Sequence, residues 1–354
     1  MKLIPHSRPW FTNQDSIALA KTLQSYMVGQ GDSVRNLELS LAKWIDADDA
    51  VAVSSCGAAI VLALRSLNVD KGDEVILPTY VCRTLLEAVL TVGAKPVLCD
   101  VGEDWVVTID DVKRVLSRRT AALIIPHIYG IYADVRSFRA FGRPIIEDYS
   151  QALDAKFHRV IEGDIAVVSL HATKCVTAGE GGVALSGDPR IIDTMRSYRD
   201  GLGTSCSKRF FAPLSDLASA LVLSQLDRYD LSLLRRREIA NSYIEILSAV
   251  SPHFLSSRML SNSMFFRFPI KIPGGLSNFE GFFAKRGIKI TKGVDQLLHR
   301  LVRLPDADFP CAVRHFVTTI SLPIYPALTD AEKLRCESAL KDVLKNGYAA
   351  KALF

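Results

Sequence analysis

Lys174 sits a few residues past the short apolar run Ile165-Ala-Val-Val-Ser169 and just ahead of the glycine-rich stretch Gly179-Glu-Gly-Gly182. An amine held beyond a strand end, beside a hydroxyl residue, can be desolvated. Its pKa then falls, and the free base can attack an aldehyde to form an imine. Taken alone, a Thr-Lys pair in a loop also fits a solvated surface feature, the commoner fate of lysine. Asp148 ends a second apolar run, Pro144-Ile-Ile-Glu-Asp148, ahead of Tyr149-Ser-Gln151. A carboxylate at a buried strand end costs desolvation energy unless a cation or donor meets it, and a protonated pyridine nitrogen is one such partner. An N-cap or an ordinary ion pair would serve as well. The third feature is Ala50-Val-Ala-Val-Ser-Ser55, which turns through Cys56-Gly57-Ala58-Ala59 into a helix. Small residues at such a turn let backbone N–H groups approach an anion at a helix N-terminus. Tight packing alone would ask for the same residues.

These groups need a scaffold that brings them to one rim. Strand patterns fall at 50–55, 72–78, 95–100, 120–126 and 144–148, with helices predicted between them to about 67 and over 81–92, 110–116 and 135–141. That alternation predicts a mostly parallel sheet wrapped by helices on both faces. Ligands in such sheets collect at the carboxyl ends of the strands. Ser55, Pro78, His127, Asp148 and the Ser169–Lys174 segment all fall at such ends.

Upstream, helices are expected over 12–27, with Ile17, Leu19, Ala20, Leu23 and Tyr26 on one inward face, and over 33–45, with Leu37, Leu39, Leu41 and Trp44 inward. Residues 214–250 read as strongly helical. Beyond them come strands at 265–272 and 288–291 and helices at 279–286 and 331–344. The division predicted is a large domain, residues 1–245, and a smaller C-terminal α+β domain, residues 246–354.

The chain has 354 residues, 49% of them hydrophobic and 23% charged, with a formal net charge of +5. That is ample for a large core, and the mild positive balance without a basic run suits a small anionic ligand better than nucleic acid. Seven cysteines, at 56, 82, 99, 175, 206, 311 and 336, form no CxxC pair. Their scatter speaks against a disulfide framework or a zinc site and for reduced thiols in the cytoplasm. No signal core and no run of eighteen apolar residues occurs, so neither a membrane nor a metal is expected as a partner.

With these motifs placed, the chain resembles the DegT/DnrJ/EryC1/StrS family of PLP-dependent sugar aminotransferases, of aminotransferase fold type I. The resemblance runs from Ser7-Arg-Pro9 and Gly29-Gln-Gly31 through Val51-Ala-Val-Ser-Ser55, Gly72-Asp-Glu-Val-Ile, Gly93-Ala-Lys-Pro-Val97 and His127-Ile-Tyr-Gly130. It continues over Glu147-Asp148, Gln151, Gly163-Asp164, Ser169, Lys174, Gly179-Glu-Gly-Gly182, Ser215-Asp216 and Gln225-Leu226 to Ser321-Leu-Pro-Ile-Tyr-Pro326. It implies a three-layer α/β fold with a mostly parallel central sheet. It also implies that Lys174 forms the internal aldimine with pyridoxal 5'-phosphate and later moves the proton, and that Asp148 holds the pyridine nitrogen protonated. Gln151 would lie against the ring, and Ser169, Ser55 and the amides around Cys56 and Gly57 would hold the phosphate. A lysine at 174, where the family's dehydratase branch has histidine, favours amino transfer.

Three departures stand out. Ser55-Cys56-Gly57 replaces the family's Ser-Gly-Thr, Cys82 falls where an aromatic ring stacks on the cofactor, and Phe211 replaces an asparagine that reaches the partner subunit's phosphate. Lys208 or Arg209 is expected to supply that cross-subunit charge. The expected activity is transfer of an amino group from a donor such as glutamate to a keto-sugar, nucleotide-linked, by a homodimer. The alternatives are the same chemistry on a cyclitol ketone or an amino-dehydroshikimate-type ring, and a non-catalytic regulatory homologue. Acceptor contacts are expected from loops around Tyr26–Gln30, Cys82–Arg83, Gly201–Phe211 and Gly293–His299. Arg83 and His299 are candidates there, against a helix-surface charge and an ordinary loop histidine.

Overall fold

The computed structural model describes residues 2–154, 161–201 and 209–345. Two helices, α1 (Asn13–Gln24) and α2 (Asp32–Trp44), precede a strand–helix alternation. It comprises β1 (Asp49–Val53), α3 (Cys56–Ser66), β2 (Glu74–Pro78), α4 (Arg83–Thr91), β3 (Lys95–Cys99) and α5 (Ile109–Val115). Next come β4 (Thr120–Pro126), α6 (Val135–Phe138), β5 (Ile145–Asp148), β6 (Ile165–Ser169) and β7 (Gly182–Ser186). Helices α7 (Pro189–Asp200), α8 (Asp216–Leu226), α9 (Tyr229–Ser248) and α10 (Ser257–Ser261) follow. The chain then forms β8 (Phe268–Lys271), α11 (Gly275–Lys285), β9 (Thr291–Lys292), α12 (Leu298–Leu301), α13 (Pro310–Thr318), β10 (Thr319–Leu322) and α14 (Asp330–Lys345). None of these helices is long and apolar enough to cross a membrane.

Seven strands form one sheet in the order β1-β7-β6-β5-β4-β2-β3. The run from β3 to β6 is parallel, and β7 lies antiparallel to both β6 and β1. Every residue of β2, β6 and β7 is buried, which is why β2 and β6 read as continuous apolar runs and not as alternating ones. Helix α3 is buried along its whole middle, Ala58 to Leu64, because it is pressed between the sheet and the neighbouring helices α4 and α7. On the opposite face α2 and α8 cover a second apolar cluster that includes Val34, Leu37, Leu41, Val168, Val183 and Val222. A smaller antiparallel sheet, β8-β10-β9, lies C-terminal. Trp105 ties the two sheets' surroundings together by donating from Nε1 to Thr319 Oγ1 at 2.9 Å.

The inward face expected on α1 is not inward, and one residue expected inward on α2, Leu39, is exposed. On α1, Ile17 and Leu23 are 59% and 56% exposed, and Tyr26, just past its end, is 90% exposed. The helix docks through polar groups instead. Arg228 donates to Asp15 Oδ2 at 2.6 Å and the Ser224 hydroxyl donates to Asp15 Oδ1. On α2 the buried positions are Val34, Leu37, Glu38, Leu41 and Ala42, the three- and four-residue spacing of one helical face. Leu39 lies two steps from Leu37 and is 46% exposed, since residues two apart do not share a face. The strand expected at 265–272 begins only at Phe268, after Phe265 takes a left-handed φ of 56°. That expected at 288–291 reduces to Thr291–Lys292, with Ile288 bridging Ile4 of the N-terminal segment. The sequence pattern missed β7, α7, α10, α12, α13 and β10.

Candidate active site

The segment bearing Lys174 is built by its neighbours. β6 ends at Ser169, and the chain loops out and returns as β7. The loop closes on itself: the Leu170 amide donates to Gly181 O at 2.9 Å and the Ala178 amide to Leu170 O at 2.9 Å. Gln225 of α8 holds it from below. Its Oε1 accepts from the Thr177 amide at 3.1 Å, and its Nε2 donates to Thr177 O at 2.8 Å. Thr177 Oγ1 also donates to Leu170 O at 3.0 Å. Lys174 rests half-buried on this frame, with Nζ 5.3 Å from the Phe266 ring centroid.

β7 reaches the turn between β1 and α3 because residue 182 is glycine. A Cβ there would lie 2.5 Å from the Ser55 carbonyl carbon and 2.6 Å from Cys56 Cα. That contact places the α3 N-terminus beside Ser169, which pairs with Gly182 across β6 and β7. Ser55 caps α3, its Oγ accepting from the Ala58 amide at 3.1 Å. The amides of Cys56 and Gly57 open the helix, where no intrahelical acceptor meets them, an arrangement that suits an anion because the helix dipole adds to it.

Asp148 ends β5 and is 6% exposed. Among the described residues one partner meets its side chain, the Ser150 amide at 2.9 Å to Oδ1. Beneath it, Glu147 is bound by the Tyr149 hydroxyl at 3.1 Å, the His127 ring at 3.2 Å and the Gly163 amide. The Ala133 amide donates to His127 Nδ1 at 3.1 Å, so the ring proton sits on Nε2 and points to Glu147. Burial and the adjacent Glu147 push the Tyr149 phenol well up. This fully bonded layer fixes the strand end from which Asp148 projects.

Gln151, Ser169 and Lys174 line one cavity together with Ser150 and Cys175. Cys56 joins them: its Sγ lies 3.2 Å from Ser150 Oγ, and its thiol feels both Asp148 and Lys174. Burial, reinforced by Asp148, pushes that thiol up to about 12. Cys56 is therefore a neutral contact and not a thiolate nucleophile at neutral pH. Gln151 Oε1 accepts from the Tyr129 amide at 2.8 Å, which turns its NH2 group outward as a donor.

Other expected residues stand farther off. Cys82 is exposed at the start of α4, its Sγ 3.4 Å from Thr84 Oγ1, yet near enough to act on Cys56. The Arg209 guanidinium lies over the Phe211 ring at 5.0 Å, with Phe211 73% exposed. Lys208 and Cys206 lie outside the described residues. Arg83 pairs with Glu87 on the α4 surface. His299 is no loop histidine but a fully buried one, bonded to Thr79 Oγ1 at 2.7 Å and Asp306 Oδ1 at 2.9 Å and stacked on Phe309. The sequence reading passed over Ser150 and Phe266. Ser150 was legible as the hydroxyl two residues past Asp148; Phe266 was not, since only the tertiary fold brings it to Lys174.

A model of the DegT/DnrJ/EryC1/StrS aminotransferase family matches residues 11–341. Among solved structures, DesV of S. venezuelae, in complex with a ketimine intermediate, is 25% identical with a TM-score of 0.86, covering 94% of this chain and 95% of that one. The Helicobacter pylori aminotransferase PseC, involved in the biosynthesis of pseudoaminic acid, is 20% identical with a TM-score of 0.86 over 98% of this chain and 100% of that one. DesI in the presence of its TDP-sugar product is 23% identical with a TM-score of 0.87, over 99% and 95% of the two chains. The architecture is that of the fold type I PLP aminotransferases.

Proposed function

This chain belongs to the DegT/DnrJ/EryC1/StrS aminotransferase family, whose enzymes depend on pyridoxal phosphate, and from that premise we propose that it moves an amino group from glutamate to the keto carbon of a nucleotide-linked sugar. The observation that carries the reading is that Lys174 lines one cavity with Ser150, Gln151 and Ser169, while Cys56, at the start of α3, meets Ser150 Oγ at 3.2 Å. The donor set fits pyridoxal phosphate. It offers an amine without a carboxylate partner among the described residues, a buried carboxylate with an oxygen to spare, and helix-start amides beside the Ser169 hydroxyl.

Bound pyridoxal phosphate supplies an electrophilic aldehyde and an electron-withdrawing pyridine ring. Lys174 would hold the group through Nζ and would serve as the general base that takes a proton from the substrate Cα. Asp148 would keep the ring nitrogen protonated through its negative charge. Ser169, Ser55 and the Cys56 and Gly57 amides would hold the phosphate. Gln151 would donate toward the ring, and Cys82 would supply a small polarizable contact to it.

The reading includes a homodimer, with Arg209 reaching the phosphate of the other site. The apolar residues Phe11, Ile17, Leu23, Tyr26, Met27 and Val28, all exposed in the single chain, support it. It also includes a boundary near residue 245 between a cofactor-binding and a smaller domain, and a cytoplasmic setting.

The test is direct. The purified protein should show a visible absorbance band with pyridoxal phosphate that borohydride abolishes and Lys174→Ala lacks. A screen of keto-sugar nucleotides against free cyclitol ketones, with glutamate as donor, then identifies the acceptor. Turnover of cyclitol ketones alone would overturn the sugar-nucleotide assignment. Absence of the band would overturn the enzyme itself.

A further inference from the structure

A thiol, an imidazole and a carboxylate meet where the chain leaving β3 touches α13. Cys311 and His315 are four residues apart on α13 and so share one face of it. Glu103 comes from the turn after β3. One donor atom from each residue lies within 4.8 Å of the donor atoms of the other two. None of the three lines the cavity around Lys174.

The frame behind these donors is fixed. Asp100 grips the first turn of α13, accepting from the Cys311 amide at 2.9 Å and the Ala312 amide at 2.8 Å. The His315 ring, 1% exposed, is wedged against Trp105 and Tyr80, with ring centroids 5.4 and 5.9 Å away. Its Nε2 lies 3.4 Å from Cys311 Sγ. Two ligands of a tetrahedral zinc ion, with bonds of about 2.3 Å to sulfur and about 2.0 Å to nitrogen, stand about 3.5 Å apart. The sulfur–nitrogen pair is already at that spacing, and Glu103, an exposed side chain, can turn to close the third side.

Between these donors sits Arg314. Its Nη2 donates to Glu103 and lies 3.1 Å from Cys311 Sγ, so the group already attracts a cation. The Arg314 side chain is 53% exposed and can swing into solvent. His315 Nε2 donates to Gly102 O at 3.0 Å, whereas Nδ1 meets no hydrogen-bond partner among the described residues. The ring proton can therefore rest on Nδ1 and free the Nε2 lone pair for a metal, at the loss of one hydrogen bond. Lys271, whose Nζ donates to Glu103 O at 2.6 Å, works against a cation here and moderates its affinity.

We propose that Cys311, His315 and Glu103 bind a zinc ion, which displaces the Arg314 guanidinium and takes water as its fourth ligand. Binding releases the Cys311 thiol proton to solvent and leaves the sulfur as a thiolate on the metal. The ion fastens the turn after β3 to α13, beside the Trp105–Thr319 hydrogen bond that links the surroundings of the two sheets. The scattered cysteines gave no expectation of a metal, because Glu103 is far from its partners in sequence. The site stands independently of the aminotransferase reading.

Cobalt(II), whose tetrahedral thiolate complexes carry intense visible bands, is the probe, titrated into chelator-treated full-length protein and then displaced by zinc. Wild type should show the bands and lose them to zinc. Cys311→Ser and His315→Gln should each abolish the bands and weaken zinc roughly tenfold or more, at least the loss that follows removal of an outer-shell partner. Glu103→Gln, which keeps a neutral oxygen, should lose less. Arg314→Ala, by clearing the position, should bind zinc severalfold more tightly, a gain that a purely structural cluster would not give. Zinc should also raise the Tm of wild type and leave that of Cys311→Ser unchanged.

A wild type without the cobalt bands overturns the inference. So does zinc affinity in Cys311→Ser equal to that of wild type, or weaker zinc binding in Arg314→Ala than in wild type. If His315→Gln does not fold, Cys311→Ser, a near-isosteric change at a half-buried position, decides alone.

Discussion

Replacing Gly182 by alanine tests the idea that one close backbone approach assembles the phosphate end of the site. The added Cβ would lie 2.5 Å from the Ser55 carbonyl carbon and 2.6 Å from Cys56 Cα, against the Ser55 carbonyl oxygen as well. These are backbone atoms at the start of a buried helix, so no flexible side chain can swing aside. Ordinary carbon–carbon contact begins near 3.5 Å, which leaves an overlap of about 1 Å to be relieved by moving β7 away from the α3 turn. Overpacking of this kind costs about 1–3 kcal/mol. The displaced amides of Cys56 and Gly57 should then meet the cofactor phosphate poorly. Gly187, one residue beyond β7, is the control, because a Cβ there meets nothing within 4 Å. Urea unfolding should show Gly182→Ala destabilised by that amount and Gly187→Ala within about 0.5 kcal/mol of wild type. Absorbance titration with pyridoxal phosphate should show weakened binding only in Gly182→Ala. If the two variants behave alike in both assays, the close approach does not organise the site.

Acid should weaken the fold in a defined window. Burial holds His6 down at about 3 and His315 down at about 4, against 6.5 for an unfolded histidine. The unfolded chain therefore takes up protons that the folded chain refuses, so the contribution is complete above pH 6.5 and is lost as pH falls toward 4 and then 3. A His6→Gln, His315→Gln double variant should show a flatter stability–pH curve below pH 6.5, followed by urea unfolding at each pH; an unchanged slope rejects the assignment. Thiol chemistry offers a second check. Cys82 is exposed, whereas Cys56 is pushed up to about 12 by burial and Asp148, so mass spectrometry after brief iodoacetamide treatment at pH 8 should find Cys82 labelled before Cys56. The reverse order would mean that the Cys56 thiol is not held neutral.

Strands such as β2 and β6 were legible as short, wholly buried apolar runs, whereas β7 and β10, buried just as fully, open on a glycine run and on Thr-Ile-Ser and gave no such pattern. The Lys174 segment and Asp148 were legible for the same reason, as polar residues placed where apolar runs stop. Other features are set by partners distant in sequence. The apolar side of α1 gave a helix correctly and its orientation wrongly, because Asp15 and Arg228 dock the helix and leave Ile17 and Leu23 in solvent. Leu39 shows that hydrophobicity without the three- and four-residue spacing does not define a face. The Gln225 clasp on Thr177 and the Phe266 ring under Lys174 depend on tertiary approach, and no local pattern encodes either. His299 illustrates the opposite error: a side chain read as an acceptor contact or an ordinary loop histidine is a buried strut between Thr79 and Asp306.

The closed loop between β6 and β7 has an evolutionary reading. Its frame is borne by backbone groups and by Thr177 and Gln225, whereas His171, Ala172, Thr173 and Glu180 face solvent. Mutations at those outward positions meet little packing resistance, while the amine they surround keeps its mooring. Such a loop can drift in sequence, and so diversify what it touches, without passing through ancestors that displace Lys174. Separating the part that must stay from the part that can vary is what allows one scaffold to be retuned for new partners.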